Sequence, residues 1–271
     1  MSMMTDMESL KVNYQKGKDL SEGVFILEPL SPGYGQTIGH ALRRVLLSSL
    51  TGAAIYSVKI EGVSHEFSTL NGIKEDIVDI ILNLKSLRLR LEGDEPTVIK
   101  LDKKGPGVIK AKDFQNNPLV KIADLNHHIA SLDKNGKLVL EATVKKGFGY
   151  EPVERRKDEK LPLGTIAIDS IFSPVKKINY EVENTRVGQM TNYDKLTLEI
   201  TTDGSISVEE AFNSALKILI DHFTFIQSKI EKVKPKSEKK EVVESEVKKE
   251  KTKTATKKTA VKKEKPAKKR K

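Results

Sequence analysis

A single apolar seam runs through the stretch before the chain turns Lys-rich: Val208, Phe212, Ala215, Leu219, Phe223, Ile226 and Ile230 recur at steps of four and three. That spacing predicts one long helix with a continuous buried face. Ser207 followed by Glu210 reads as a capping box at its start, and Pro235 stops it. Ile218, Ile220 and Phe225 lie off the seam. The helix therefore carries more apolar surface than one contact needs, which fits a subunit interface or a deep core.

Two further helices follow from the same periodicity. Residues 36–50 are apolar over more than half the circumference, through Ile38, Ala41, Leu42, Val45, Leu46, Leu47 and Leu50. Gly39 weakens that helix by about 1 kcal/mol relative to alanine, so close approach of another backbone is expected there, and Gly52 should end the helix. Arg43 and Arg44 sit mid-helix among these apolar residues. Buried, each needs its own partner, either a carboxylate of this chain or an acceptor on another. Residues 74–85 give a third helix, with Glu75 and Asp76 in its first turn and Lys85 in its last.

Alternation marks strands. Tyr56, Val58 and Ile60 oppose Ser57, Lys59 and Glu61; Ile178, Tyr180 and Val182 oppose Asn179, Glu181 and Glu183; Leu196, Leu198 and Ile200 oppose Thr197, Glu199 and Thr201. Residues 24–27, 98–101, 138–144 and 165–172 are less regular strands, and Asn135-Gly136 and Asp203-Gly204 are turns. The order of elements is too irregular for repeated βαβ units. The fold class is α+β with largely antiparallel sheets.

Charge is distributed unevenly. Residues 232–271 hold 18 Lys/Arg against 6 Asp/Glu, a net +12 in a chain of net +10, which leaves the body at −2. That stretch has no aromatic residue, cannot bury enough surface to offset backbone ordering, and is expected to be a disordered tail. It serves either as a solubilising segment or as a sequence-independent attractor of nucleic-acid phosphates. With no cysteine, a disulfide scaffold, a Cys-ligated zinc and a cysteine nucleophile are excluded. No apolar run spans a bilayer, and the first residues resemble neither a signal nor a transit peptide. A cytoplasmic setting without membrane contact is expected.

Catalytic patterns are absent. Pro32-Gly33-Tyr34-Gly35-Gln36-Thr37-Ile38-Gly39 departs from the dinucleotide fingerprint in spacing and reads as a tight turn plus a close-packing glycine. His40, His65, His127, His128 and His222 have no metal-ligand spacing. No catalytic residue, metal or cofactor is expected.

The segment from Glu28 to Leu50, containing Gly39-His40-Ala41-Leu42-Arg43-Arg44, resembles the first block of the bacterial RNA polymerase alpha subunit family. Further blocks agree in order: Glu61 to Thr69 through Leu82-Asn83-Leu84-Lys85, Gly147-Phe148-Gly149-Tyr150-Glu151-Pro152, Phe172-Ser173-Pro174-Val175, Asn184 to Gln189, and Tyr193-Asp194-Lys195-Leu196. The resemblance implies a discontinuous dimerisation domain, residues 1–51 plus 173–231, with two packed helices and antiparallel strands. A mostly-β insert domain, residues 52–172, lies between its halves.

It implies a homodimer, with Ile38, Leu42, Leu46, Phe212, Leu219 and Phe223 at the interface. It further implies a non-catalytic scaffold that recruits the beta and beta-prime subunits, which carry the catalytic magnesium and engage DNA. Arg43 and Arg44 match the family's helix pair, one of which contacts beta, with Arg44 favoured. Lys85 matches a position tied to beta binding. Val175 and Arg186 fall in a stretch facing beta-prime. His40 stands where the family usually has asparagine. The Lys-rich tail stands where the family continues into a small DNA-binding module, and that module is expected to be missing here.

Overall fold

The computed structural model describes residues 9–17, 19–156 and 161–232. Chain order runs β1 (Lys11–Lys16), β2 (Glu22–Leu30), α1 (Tyr34–Ser48), β3 (Thr51–Ile60), α2 (Ile77–Ser86), β4 (Leu89–Leu91), β5 (Thr97–Lys104), β6 (Gly107–Lys110) and β7 (Val120–Ile122). It continues with β8 (His128–Leu132), β9 (Lys137–Phe148), β10 (Tyr150–Glu151), β11 (Thr165–Ala167), β12 (Ser170–Ile171), β13 (Val175–Val187), β14 (Met190–Thr202) and α3 (Val208–Lys232). The chain divides into two units, Met1–Ile220 and Asp221–Lys271.

Among the described residues, the first unit holds two sheets of four and six strands, ordered β1-β2-β14-β13 and β5-β9-β3-β4-β7 with β11 also on β3, and two smaller strand pairs. Every pairing among the described residues is antiparallel, in keeping with an α+β fold. Each large sheet has its own core. On the four-stranded sheet, Phe25 and Leu27 of β2 and Leu196, Leu198 and Ile200 of β14 meet Leu42 and Leu46 of α1 and Val208, Phe212 and Ala215 of α3. Phe25 stacks on Phe212 with ring centroids 4.0 Å apart. On the six-stranded sheet, Ile55, Val58 and Ile60 of β3 and Leu138, Leu140 and Val144 of β9 meet Ile77, Ile80 and Leu84 of α2.

Several elements differ from the sequence expectation. α1 begins two residues earlier and ends at Ser48, because Gly33 supplies a left-handed N-cap (φ 82°) and Leu50 turns into the core. What approaches Gly39 is the sheet: a Cβ there would lie 2.7 Å from Tyr180 Cδ2 and 3.0 Å from Leu196 Cδ1. Gly52 does not end α1. It lies in β3, against the Phe172 carbonyl.

α2 starts at Ile77, with Asp76 as its N-cap accepting the Asp79 N–H at 2.8 Å. Glu75 falls outside the helix and accepts hydrogen bonds from the Ser131 N–H (2.6 Å) and Oγ (2.9 Å). In β3 a bulge separates Ile55 from Ser57. Tyr56 therefore does not share the core face of Val58 and Ile60, and Ser57 is buried. The expected strand over 165–172 splits into β11, paired with β3, and β12, paired with β10.

The capping box of α3 is half formed. Ser207 Oγ accepts the Glu210 N–H at 3.2 Å, while the Glu210 carboxylate is taken by Arg90 of β4. α3 runs through Lys232, which the charge pattern assigned to the tail. The rest of the expected disordered tail, residues 233–271, lies outside the described residues.

Candidate assembly interface

α1 is fixed to the four-stranded sheet by its small residues. Gly35 and Gly39 are buried against β13 and β14, where Cβ atoms would meet Val182, Asp194, Tyr180 and Leu196. The Asp194 carboxylate, itself buried, accepts the Gly35 N–H at 2.9 Å. A helix N-terminus attracts anions, and here the chain's own carboxylate occupies that end. The glycine segment thus acts as the turn and packing device that its spacing suggested.

This docking turns Leu42, Val45 and Leu46 inward and leaves Arg43, Arg44, Leu47 and Ser48 exposed. Two arginines in an apolar helix read as buried charges; both are in fact at the surface. Among the described residues, neither enters an ion pair. Against the reading that pairs each with a carboxylate of the same chain, no carboxylate among the described residues meets either. Their adjacent heads, about 100° apart around the helix axis, are open to an acceptor from outside.

Lys85 stands apart from this pattern. Its Nζ lies 3.1 Å from Asp169 Oδ2 and 5.6 Å from the Tyr150 ring centroid. Asp169 also accepts the Val153 N–H at 2.9 Å. That bond, with Lys85 and the Tyr150 hydroxyl, holds the Asp169 carboxyl below the usual carboxylate range against the opposing effect of burial. Burial first, and then the Asp169 carboxylate, pushes the Tyr150 hydroxyl up.

The residues expected at a homodimer interface separate into two groups. Leu42, Leu46 and Phe212 are 1%, 0% and 5% exposed, consumed by the chain's own core. They have no surface left to offer a second chain in this conformation. Ile38 and Leu219 are half-buried at the core's edge. Phe223 is exposed, together with Ile220, Phe225, Ile226 and Ile230. Every residue from Ile220 to Ile230 is exposed.

Of the pair expected to face beta-prime, Val175 is buried in the core. Arg186 is exposed near the β13–β14 turn and donates from Nε to the Gly188 carbonyl at 2.7 Å. Sequence reasoning gave no role to Phe148 and Tyr150, both exposed. Their Gly-Phe-Gly-Tyr setting resembles a turn, and exposure has no periodic signature.

No group of three or more metal-ligating side chains occurs among the described residues, and none of their helices is long and apolar enough to cross a membrane.

Residues 58–173 match the family model described as the RNA polymerase Rpb3/RpoA insert domain. The chain is 52% identical over 214 residues to the DNA-directed RNA polymerase subunit alpha of Clostridium botulinum strain Eklund 17B, covering 79% of this chain and 68% of the relative. Against the subunit of the same name from Moorella thermoacetica, identity is 52% over 230 residues, covering 85% and 73%. Against that of Symbiobacterium thermophilum it is 54% over 205 residues, covering 76% and 65%. With its ordered motif blocks, its antiparallel α+β fold and these relatives, the chain belongs to the bacterial family of DNA-directed RNA polymerase alpha subunits, the non-catalytic assembly subunits of that nucleotidyltransferase.

Proposed function

We propose that two copies of this chain pair through the exposed apolar half of α3, and that the pair recruits the beta and beta-prime subunits of the polymerase. One observation carries this reading. Ile220, Phe223, Phe225, Ile226 and Ile230 present large apolar side chains to solvent on a single helix. Large apolar side chains exposed in such number within about three turns of helix mark an interaction site. The bacterial relatives support a cytoplasmic setting.

The two cores support the domain division proposed with that pairing. Every residue of the first core lies within 1–51 or 173–231, and every residue of the second within 52–172. On this reading the first module dimerises and the second is the insert. Arg43 and Arg44 face beta, and Arg186 lies on the beta-prime side. DNA is met through the assembled enzyme. The +12 charge of residues 232–271 adds sequence-independent attraction to its phosphates; deleting those residues then lowers promoter affinity most at low salt.

The test of pairing is the mass of the full chain in solution. Sedimentation equilibrium gives twice 30.2 kDa for the wild type and a single chain for Phe223→Glu combined with Ile226→Glu. Both substituted side chains are exposed, so the far-UV circular dichroism of the variant stays that of the wild type. A wild type that remains a single chain at tens of micromolar removes the proposal.

A further inference from the structure

We infer that Phe148 and Tyr150 form the apolar centre of the face that carries Arg44, and that Lys85 acts by holding Tyr150 in place, the occupant being an acidic, apolar-bearing surface of the beta subunit. The inference rests on the proposal that α1 meets that subunit.

The backbone brings these residues together. Phe148, at the end of β9, pairs with Thr51 at the start of β3. The next residue, Gly149, has φ 58°, and a Cβ built on it would lie 3.7 Å from the Ser48 carbonyl oxygen. The Gly149 carbonyl accepts the Phe172 N–H at 2.8 Å, and Tyr150 pairs with Ile171. The Phe148–Tyr150 segment is thus pinned against the C-terminal end of α1. Arg44 and Ser48 are four residues apart on that helix and share a face, and Ser48 Oγ donates to the Arg44 carbonyl at 2.7 Å.

Exposure and charge indicate what covers this surface. Phe148 is 64% exposed, Tyr150 52% and Leu47 37%. Exposed aromatics beside arginine have the composition of an interface hot spot. The cations differ in one respect. Arg43 and Arg44 have no ion-pair partner among the described residues, whereas Asp169 already meets the Lys85 charge at 3.1 Å. The surface therefore asks for carboxylates opposite α1 and an apolar side chain opposite Phe148. Lys85 asks for nothing further. With Asp169 anchored by Val153, it fixes the Tyr150 ring from within the chain, as a positioning residue.

The test measures the affinity of the tagged full chain for the purified beta subunit of the same cell. Phe148→Ala and Tyr150→Ala each raise Kd by about tenfold or more, with melting temperatures near wild type, and Tyr150→Phe stays close to wild type. Lys85→Met weakens binding alone but adds nothing to Tyr150→Ala, since both remove the same feature. Arg44→Ala raises Kd and flattens its salt dependence.

If Arg44→Ala weakens binding while Phe148→Ala and Tyr150→Ala do not, the aromatic centre is overturned and the function proposed for α1 stands. If none of the three matters, both fall. Additive losses for Lys85→Met and Tyr150→Ala overturn the positioning role and make Lys85 a direct contact.

Discussion

Arg90 grips Glu210 with two parallel hydrogen bonds, Nη1 to Oε2 at 2.9 Å and Nη2 to Oε1 at 2.8 Å. The pair links elements of the two cores: Arg90 lies between Leu89 and Leu91 of one core, and Glu210 precedes Ala211 of the other. It also separates two contributions that a capping box would merge. Both side chains are over 40% exposed, and solvent screening limits such a pair to at most about 1 kcal/mol. Glu210→Gln should therefore lower unfolding stability by about 0.5 kcal/mol in low salt, a loss that fades in 1 M salt. Ser207→Ala removes the cap itself and should cost about 1 kcal/mol regardless of salt. Urea unfolding at two salt concentrations distinguishes them.

Asp194 gives α1 its start. Removing its carboxylate leaves the Gly35 N–H buried without its acceptor and withdraws negative charge from the positive end of the helix. Asp194→Ala is expected to cost about 1–3 kcal/mol. Asp194→Asn, which keeps an acceptor oxygen, is expected to cost less. Equal losses in denaturant unfolding would show that the charge carries the whole effect and the hydrogen bond none.

The strands that sequence alternation located most cleanly are β13 and β14. Leu196, Leu198 and Ile200 are buried in strict alternation, and a strand with one covered face leaves that mark. β3 is a central strand with a bulge, and one extra residue shifts the alternation register. Strict alternation therefore puts Tyr56 on the wrong face. Arg43 and Arg44 were legible as unusual but not as exposed. The apolar count around α1 exceeds what its packing uses, and Leu47 remains outside with the arginines. Glu75 and Asp169 make their contacts across 56 and 84 residues of chain, to Ser131 and Lys85. No local pattern encodes such pairings.

Gly39 offers a case in which local propensity and packing oppose each other. Alanine in a helix interior is favoured over glycine by about 1 kcal/mol. At this position its Cβ would lie 2.7 Å from a ring carbon of Tyr180 and 3.0 Å from Leu196 Cδ1. Forcing a methyl group into a packed contact costs about 1–3 kcal/mol, so packing wins. Gly39→Ala should destabilise the protein, and Gly39→Ala with Tyr180→Ala should recover the helix-propensity gain relative to Tyr180→Ala alone. A double-mutant cycle from chemical denaturation measures the coupling. A stabilising single variant would mean that α1 does not rest on β13 at this distance.

Glu75 links pH to the second core. Burial pushes its carboxyl up, but the Ser131 N–H, the His128 side chain and the Ser131 hydroxyl together outweigh this and hold it below the usual glutamate range. Its folded pKa is therefore lower than its unfolded value of about 4.3. The stability it contributes is complete well above that value and is lost as pH falls through the folded pKa. Thermal melting from pH 7 to pH 3 should show a wild-type advantage over Glu75→Gln that is constant down to about pH 5. Below that the advantage should shrink, because the unfolded chain takes up a proton that the folded carboxylate still resists. The Ser131 bond at 2.6 Å tethers the segment that leads into α2 to β8. A parallel pair of melting curves across the whole range would mean that the carboxylate carries no net charge-dependent stability.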